Sequence, residues 1–196
     1  HLFKIKELEK ISMDPIIHGK TDLFRNIVLR TTGNPIINAT LEQIEDAFDL
    51  SVKARDYQID NNENIFRDKG GNQRKRANEC GNDMEKILKK ISEDKLTGLG
   101  KSSGYPDLKN DTMEYYLECK VADADKLDSA FRSFYVSTLD KIKKSQAHLL
   151  VCFKHREGKL LREEPIIKDL YDLQLTMKCE WNTTNKVLYS DYSKES

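Results

Sequence analysis

No stretch of the 196 residues approaches the roughly 18 consecutive apolar residues that a bilayer-spanning helix requires, so no segment reads as a membrane span. The opening residues show no secretory-signal pattern, and the expectation is a cytoplasmic protein. Excess charge is missing too: thirty-three basic residues stand against thirty-three acidic ones, so no global positive field advertises a nucleic-acid partner. Four cysteines, Cys80, Cys119, Cys152 and Cys179, form neither a C-x-x-C pair nor any close spacing, which argues against zinc and disulfides and for free buried thiols in a reducing cytosol. His18, His148 and His155 lack metal-ligand spacing, and His148 reads as a packed histidine at the mouth of an apolar strand. Gly98-x-Gly100-Lys101 lacks the spacing of a nucleotide-triphosphate loop.

The remaining composition describes one α/β domain of ordinary size, large enough to bury a core. Its front is helical. Thr40 and Gln43 form a capping-box pattern, and Leu41, Ile44, Phe48 and Val52 follow at helical spacing, predicting a helix over about 41–53. Asn61 to Asn64 and Lys69 to Asn72 read as loops, and Met84, Ile87, Leu88 and Ile91 as the buried stripe of a further helix. The back is rich in strands. Tyr115 to Val121 and His148 to Phe153 are apolar strand candidates, the latter buried on both faces. Residues 129–137 fit a strand or a helix face. Ile166 to Tyr171, after Pro165, reads as a short helix. Leu173 to Trp181 alternates as a half-buried strand, followed by a polar turn from Asn182 to Lys186.

The chemistry is concentrated in Tyr105-Pro106-Asp107 and in Glu118-Cys119-Lys120, whose glutamate comes eleven residues after the aspartate. The Asn110-Asp111 turn signal lets the chain fold back, bringing Asp107 and Glu118 together on neighbouring strands, with Lys120 on the same face as Glu118 and Cys119 on the other. Two carboxylates suffice to hold Mg²⁺ when substrate phosphate and water complete its oxygen shell. Lys120 beside them could orient or deprotonate a water, or neutralise charge on a phosphate. Local basic clusters compensate for the missing net charge: Arg67 to Arg76, Lys141 to Lys144, and Lys154 to Arg162, at least one of which should be only a solvated face.

Pro106-Asp107 with Glu118-x-Lys120 resembles the PD-(D/E)xK nuclease superfamily, and the surroundings resemble its type II restriction endonucleases. Arg76 to Glu85 looks like the helix ahead of the core strands, Gly98 to Tyr105 like the glycine- and serine-rich lead-in to the aspartate, and 131–135 with 148–153 like the next core strands. The resemblance covers about residues 76–189. It implies a mixed central sheet of about five strands flanked by helices and a restriction-endonuclease-like core over 76–189, while the residue pattern itself makes 1–75 a mainly helical part. It further implies Mg²⁺-dependent cleavage of double-stranded DNA at a short sequence by a homodimer. In that scheme Asp107, Glu118 and the Cys119 carbonyl hold the metal, Lys120 handles the water and Glu85 is an accessory carboxylate. Arg76, Lys101, Ser102, Ser103 and Tyr105 are expected along the DNA backbone, and Arg132, Asn182, Asn185 and Lys186 near base edges. A structure-selective or repair nuclease of the same superfamily, and a DNA-binding module without catalysis, are the alternatives.

Overall fold

A computed structural model describes residues 19–61, 77–100, 104–130, 134–178 and 183–189. They fall into two compact units, Leu23–Leu173 and a smaller one formed by His1–Asp22 with Gln174–Ser196. Thr21–Leu23 (β1) pairs with a strand at Gln174–Thr176, and in the smaller unit a short helix occupies Asn185–Leu188.

The larger unit opens with helix α1, Phe24–Thr32, which buries Phe24 and Val28 one turn apart and ends at Gly33. Gly33 has φ 76° and its N–H returns to the Leu29 carbonyl, a left-handed helix stop that favours glycine. Helix α2, Leu41–Asn61, begins with the predicted capping box: Thr40 N–H donates to Gln43 Oε1 at 2.9 Å and Gln43 N–H to Thr40 Oγ1 at 3.2 Å. The helix runs eight residues past the expected end at Lys53 because its last turns have tertiary partners. Lys90 donates to Tyr57 Oη at 2.5 Å, and Arg162 bridges Asp56 and Asp60. Its buried face also differs from expectation. Ala47, Leu50, Ser51, Ala54 and Gln58 are inside, whereas Leu41 is 70% exposed and Phe48 and Val52 lie at the flank. Small residues let α2 approach closely the next helix, α3 at Ala77–Ile91, which buries Met84 and Leu88 as expected.

The main sheet follows. Strand β2 is Leu96–Gly98, β3 Leu108–Asn110, β4 Tyr115–Asp123, β5 Ala147–Arg156, β6 Lys159–Leu160 and β7 Ile166–Asp169. Its order is β2-β3-β4-β5, with β6 and β7 both pairing the far edge of β5. Only β4 and β5 run parallel among these pairs, so the sheet is mixed, as expected, with six strands. Odd-numbered residues of β4 and β5, including Leu117, Cys119, Leu149, Val151 and Phe153, join α2 and α3 in one apolar core. Even-numbered residues of β4 face the other way.

Several expectations are corrected. Ile166–Asp169 is a strand, not a helix: Ile166 and Ile167 pair antiparallel with Cys152 and Val151, and the free edge of β5 outweighs the local helical pattern. Among the described residues of 129–137 no strand forms, because β5 already occupies the edge of β4. The strand expected over Leu173–Trp181 shrinks to Gln174–Thr176 (β8), since its partner β1 has three residues; Leu173 closes a turn onto the Leu170 carbonyl at 3.1 Å, and 179–181 lie outside the described residues. The polar turn after it becomes a one-turn helix, α4 at Asn185–Leu188, capped by Thr184, which accepts from Val187 N–H. Of the expected loops, Asn61 is the last residue of α2, while Asn62 to Asn64 and Lys69 to Asn72 lie outside the described residues.

The β3–β4 turn is built around buried Asn110. Its Oδ1 accepts from Thr112 N–H at 3.1 Å and Met113 N–H at 3.0 Å, and its Nδ2 donates to Asp46 Oδ2 of α2 at 3.2 Å and to Tyr115 Oη at 3.3 Å. Tyr115 donates to the same Asp46 oxygen at 2.8 Å, and Gln43 Nε2 reaches the Met113 carbonyl at 2.8 Å. Asn110→Ala removes four hydrogen bonds that hold the turn to itself and to α2, so it should destabilise the fold by about 2–4 kcal/mol, read from urea unfolding midpoints; a loss under about 0.5 kcal/mol would show that the turn closes without it.

Candidate active site

Asp107 immediately precedes β3, and Glu118 is the fourth residue of β4. Because Leu108 pairs with Leu117, one further step along the ladder sets Asp107 across from Glu118. Asp107 Oδ2 accepts from Cys119 N–H at 2.9 Å, where β3 has ended and the β4 edge is open. In an extended strand one residue's N–H and C=O leave from the same edge, so the Cys119 carbonyl emerges on the Asp107 side; a Cβ at Gly81 of α3 would lie 3.8 Å from it. Lys120 Nζ contacts Glu118 Oε1, and Glu118 Oε2 is buried without a hydrogen-bond partner.

Glu118 is only 5% exposed, and the face of β4 that carries it also carries a wall of rings. Tyr116, on the same face, lies 4.9 Å from the His148 ring, which stacks on Tyr105 at 5.7 Å; Phe24 and Phe134 meet Tyr105 edge-on at 5.3 and 5.6 Å. Tyr105 Oη and His148 Nδ1 are 2.6 Å apart. Burial pushes the His148 imidazole down to about 3 and the Tyr105 phenol up, so the pair is neutral. Burial, then repulsion from Asp107, pushes Glu118 up to about 7 against the opposing contact with Lys120, and burial likewise raises Asp107. Lys120, 31% exposed, lies 5.7 Å from the Phe134 ring centre, between Glu118 and solvent. The result is a desolvated acid pair with one cation at its mouth.

Glu85 of α3 pairs with Lys89 one turn on at 2.7 Å, and its charge raises the pKa of Asp107, which places it at the flank of the pair. Among the described residues no three His, Cys, Asp or Glu side chains group to hold a metal by themselves. Tyr105, assigned from sequence to the DNA backbone, is 3% exposed and packs beneath the carboxylates. Asn185 and Lys186 are exposed on α4 in the smaller unit, whereas Arg76, Lys101, Ser102, Ser103, Arg132 and Asn182 lie outside the described residues. Much of the third basic cluster is neutralised within the protein: Lys154 pairs with Glu163, Arg156 with Asp125 and Arg162 with Asp56 and Asp60. Cys80, Cys119 and Cys152 are buried cysteines, as expected. No helix among the described residues is long and apolar enough to cross a membrane.

Residues 17–192 match the family model described as the type II restriction enzyme MjaV family. The chain belongs to the MjaV family. The type II restriction enzyme MjaV of Methanocaldococcus jannaschii is 32% identical, the match covering 62% of this chain and 63% of that relative. The matched segment thus spans just under two thirds of the relative's length. No solved structure matches the chain.

Two features of this MjaV-family site escape sequence reading. The aromatic wall draws Phe24, Tyr105, Tyr116, Phe134 and His148 from five separate segments, and no local pattern links them. Lys141, which reads as one of a basic run, donates to the Gly104 and Pro106 carbonyls at 2.7 and 3.2 Å.

His148 makes folding pH-dependent with a definite sign. Its folded value of about 3 lies below the unfolded value near 6.5. Between the two the unfolded chain binds more protons, so this stabilisation is complete above about pH 6.5 and is lost as pH falls toward 3, by up to about 1.4 kcal/mol per pH unit. His148→Asn should flatten the fall in unfolding free energy between pH 6.5 and 4.5 relative to the parent; parallel curves would contradict a buried neutral imidazole.

Proposed function

We propose that this chain hydrolyses phosphodiester bonds of double-stranded DNA at a short specific sequence, with Mg²⁺ as cofactor and a PD-(D/E)xK site of Asp107, Glu118 and Lys120. The observation that carries the reading is the buried Glu118 carboxylate opposite Asp107, with Oε2 unpartnered and Lys120 in contact, in a chain of a restriction-enzyme family. Two crowded carboxylates whose charged forms are disfavoured by burial and mutual repulsion suit a hard divalent cation, which needs only one or two such ligands beside phosphate and water. Asp107 and Glu118 would hold it, with the Cys119 carbonyl on the same edge. When bound, Mg²⁺ supplies Lewis acidity to the phosphate and lowers the pKa of the attacking water.

The protein's own groups do the rest. Lys120 presents its ammonium where charge develops as the water oxygen bonds to phosphorus and the leaving P–O bond breaks, and its contact with Glu118 Oε1 fixes that position. The aromatic wall keeps bulk water from the buried side of Glu118, which strengthens every charge interaction at the site. Glu85 acts as an accessory carboxylate from α3. Arg76, Lys101, Ser102 and Ser103 are assigned to phosphates and Arg132, Asn182, Asn185 and Lys186 to base edges. A cytoplasmic homodimer would cut both strands of a two-fold symmetric site.

Digestion of mixed plasmid DNA with Mg²⁺ should yield discrete bands. Asp107→Ala, Glu118→Ala and Lys120→Ala should each abolish them while DNA binding survives, and normal turnover by any of the three sinks the assignment. Structure-dependent nicks would instead indicate a repair-type nuclease, and binding without cutting a DNA-binding module. Glu85→Gln should slow cleavage by about tenfold or more, of order 1.4 kcal/mol on the barrier, with unchanged melting temperature; an unaltered rate would reduce Glu85 to the ion pair with Lys89.

A further inference from the structure

Lys141 stands in a basic run with Lys143 and Lys144, a composition suited to phosphate. Its ammonium is nevertheless directed at the protein's own backbone, donating to the carbonyls of Gly104 and Pro106. Those carbonyls bracket Tyr105, and the second belongs to the residue before Asp107. The lysine is held from behind. Ile142 N–H donates to the Leu139 carbonyl at 3.0 Å, closing a turn with Lys141 at its third position, and Leu139 and Ile142 are both buried. Beyond the turn, Tyr116 Oη accepts from Lys143 N–H at 3.1 Å and Lys144 N–H at 3.3 Å, and Asn34 Nδ2 donates to the Ile142 carbonyl at 3.4 Å.

The clamped segment fits closely against the strand-to-strand connection. Gly104 has φ +108°, and a Cβ there would fall 2.5 Å from Thr138 Oγ1, so only glycine brings its backbone against the stretch leading into the turn. Gly104 is also free to rotate where a bulkier residue would not be. Two bonds from an ammonium are stronger than neutral ones and restrain that freedom. The positive charge also favours the ionised form of Asp107.

We propose that Lys141 is a positioning residue of the cation site: by clamping the Gly104 and Pro106 carbonyls from a turn anchored by buried Leu139 and Ile142, it sets where the Asp107 carboxylate meets Glu118, and it is not a DNA phosphate contact. The proposal rests on Asp107 and Glu118 as the cation ligands.

Ca²⁺ titration of the DNA-free protein, followed by melting temperature, tests it together with DNA affinity in EDTA across a salt series. Wild type should show a Ca²⁺-dependent rise that Asp107→Asn removes. Lys141→Met should move the midpoint to at least tenfold higher Ca²⁺, Lys141→Arg should lie between the two, and DNA affinity without divalent cation should keep its salt slope. Should the Met variant not fold, Lys141→Gln, which can donate to one carbonyl only, takes its place with the same expected direction. Equal Ca²⁺ midpoints for wild type and Lys141→Met overturn the proposal alone, as does a reduced salt slope with an unchanged midpoint. A wild type whose melting temperature ignores Ca²⁺ overturns the assignment of Asp107 and Glu118 as well.

Discussion

Asn110 closes the β3–β4 turn from inside the protein, and the register that follows decides where two carboxylates meet. A strand pair slipped by one residue would send Glu118 into the apolar core and bring Cys119 to the aromatic face. Asn110 opposes that slip by holding two backbone N–H groups of the turn while donating to Asp46 and Tyr115. Asp46 and Gln43 belong to the first turns of α2, so the helix that covers the sheet also fastens the hairpin that carries the site. Each such bond contributes only about 1 kcal/mol, yet all of them must be satisfied together, because the groups are buried and an unpaired one costs more than a made bond returns.

The sheet then separates two environments. On one side α2 and α3 cover an apolar layer in which Cys119 sits beside Leu117 and Val151. On the other, rings from α1, from 104–107, from β4, from β5 and from the stretch after β4 pack on one another, and Glu118 lies on the same face of β4 as Tyr116. The carboxylates stand at the boundary, dry enough for burial to disfavour their charge and open enough at Lys120 to face solvent. A protein selected only for stability would not place two acids there, and crowding of this kind is characteristic of a site held ready for a cation or a proton.

Zero net charge is compatible with this arrangement because charges are distributed rather than absent. Lys154, Arg156 and Arg162 are matched by acids at short range, which ties β5 to the segments after β4 and β6 and ties the latter to the end of α2. Lys144 pairs with Asp111 at 3.0 Å, and Lys141 is occupied by carbonyls. A count of basic residues therefore overstates the positive surface available to a polyanion.

Patterns of short range were legible in the residues. The capping box at Thr40 and Gln43, the alternation that turns Glu118 and Lys120 to one face, the apolar strand at β5 and the turn at Asn110 each depend on neighbours within a few positions, and each appears as expected. That Asp107 and Glu118 come together was legible the same way, as a spaced pair on either side of a turn. Tertiary contacts decided the rest. The sequence around Ile166 tolerates helix or strand, and the free edge of β5 selected the strand. The buried face of α2 was set by the small residues Ala47, Ser51 and Ala54, which carry little hydrophobic signal but permit close approach to α3. Lys141 looks like any surface lysine until the turn at 139–142 is laid against Gly104 and Pro106. Local preferences are worth tenths of a kcal/mol per residue, whereas an unpaired strand edge or a buried carbonyl is worth several times more, so wherever the two compete the distant partner prevails.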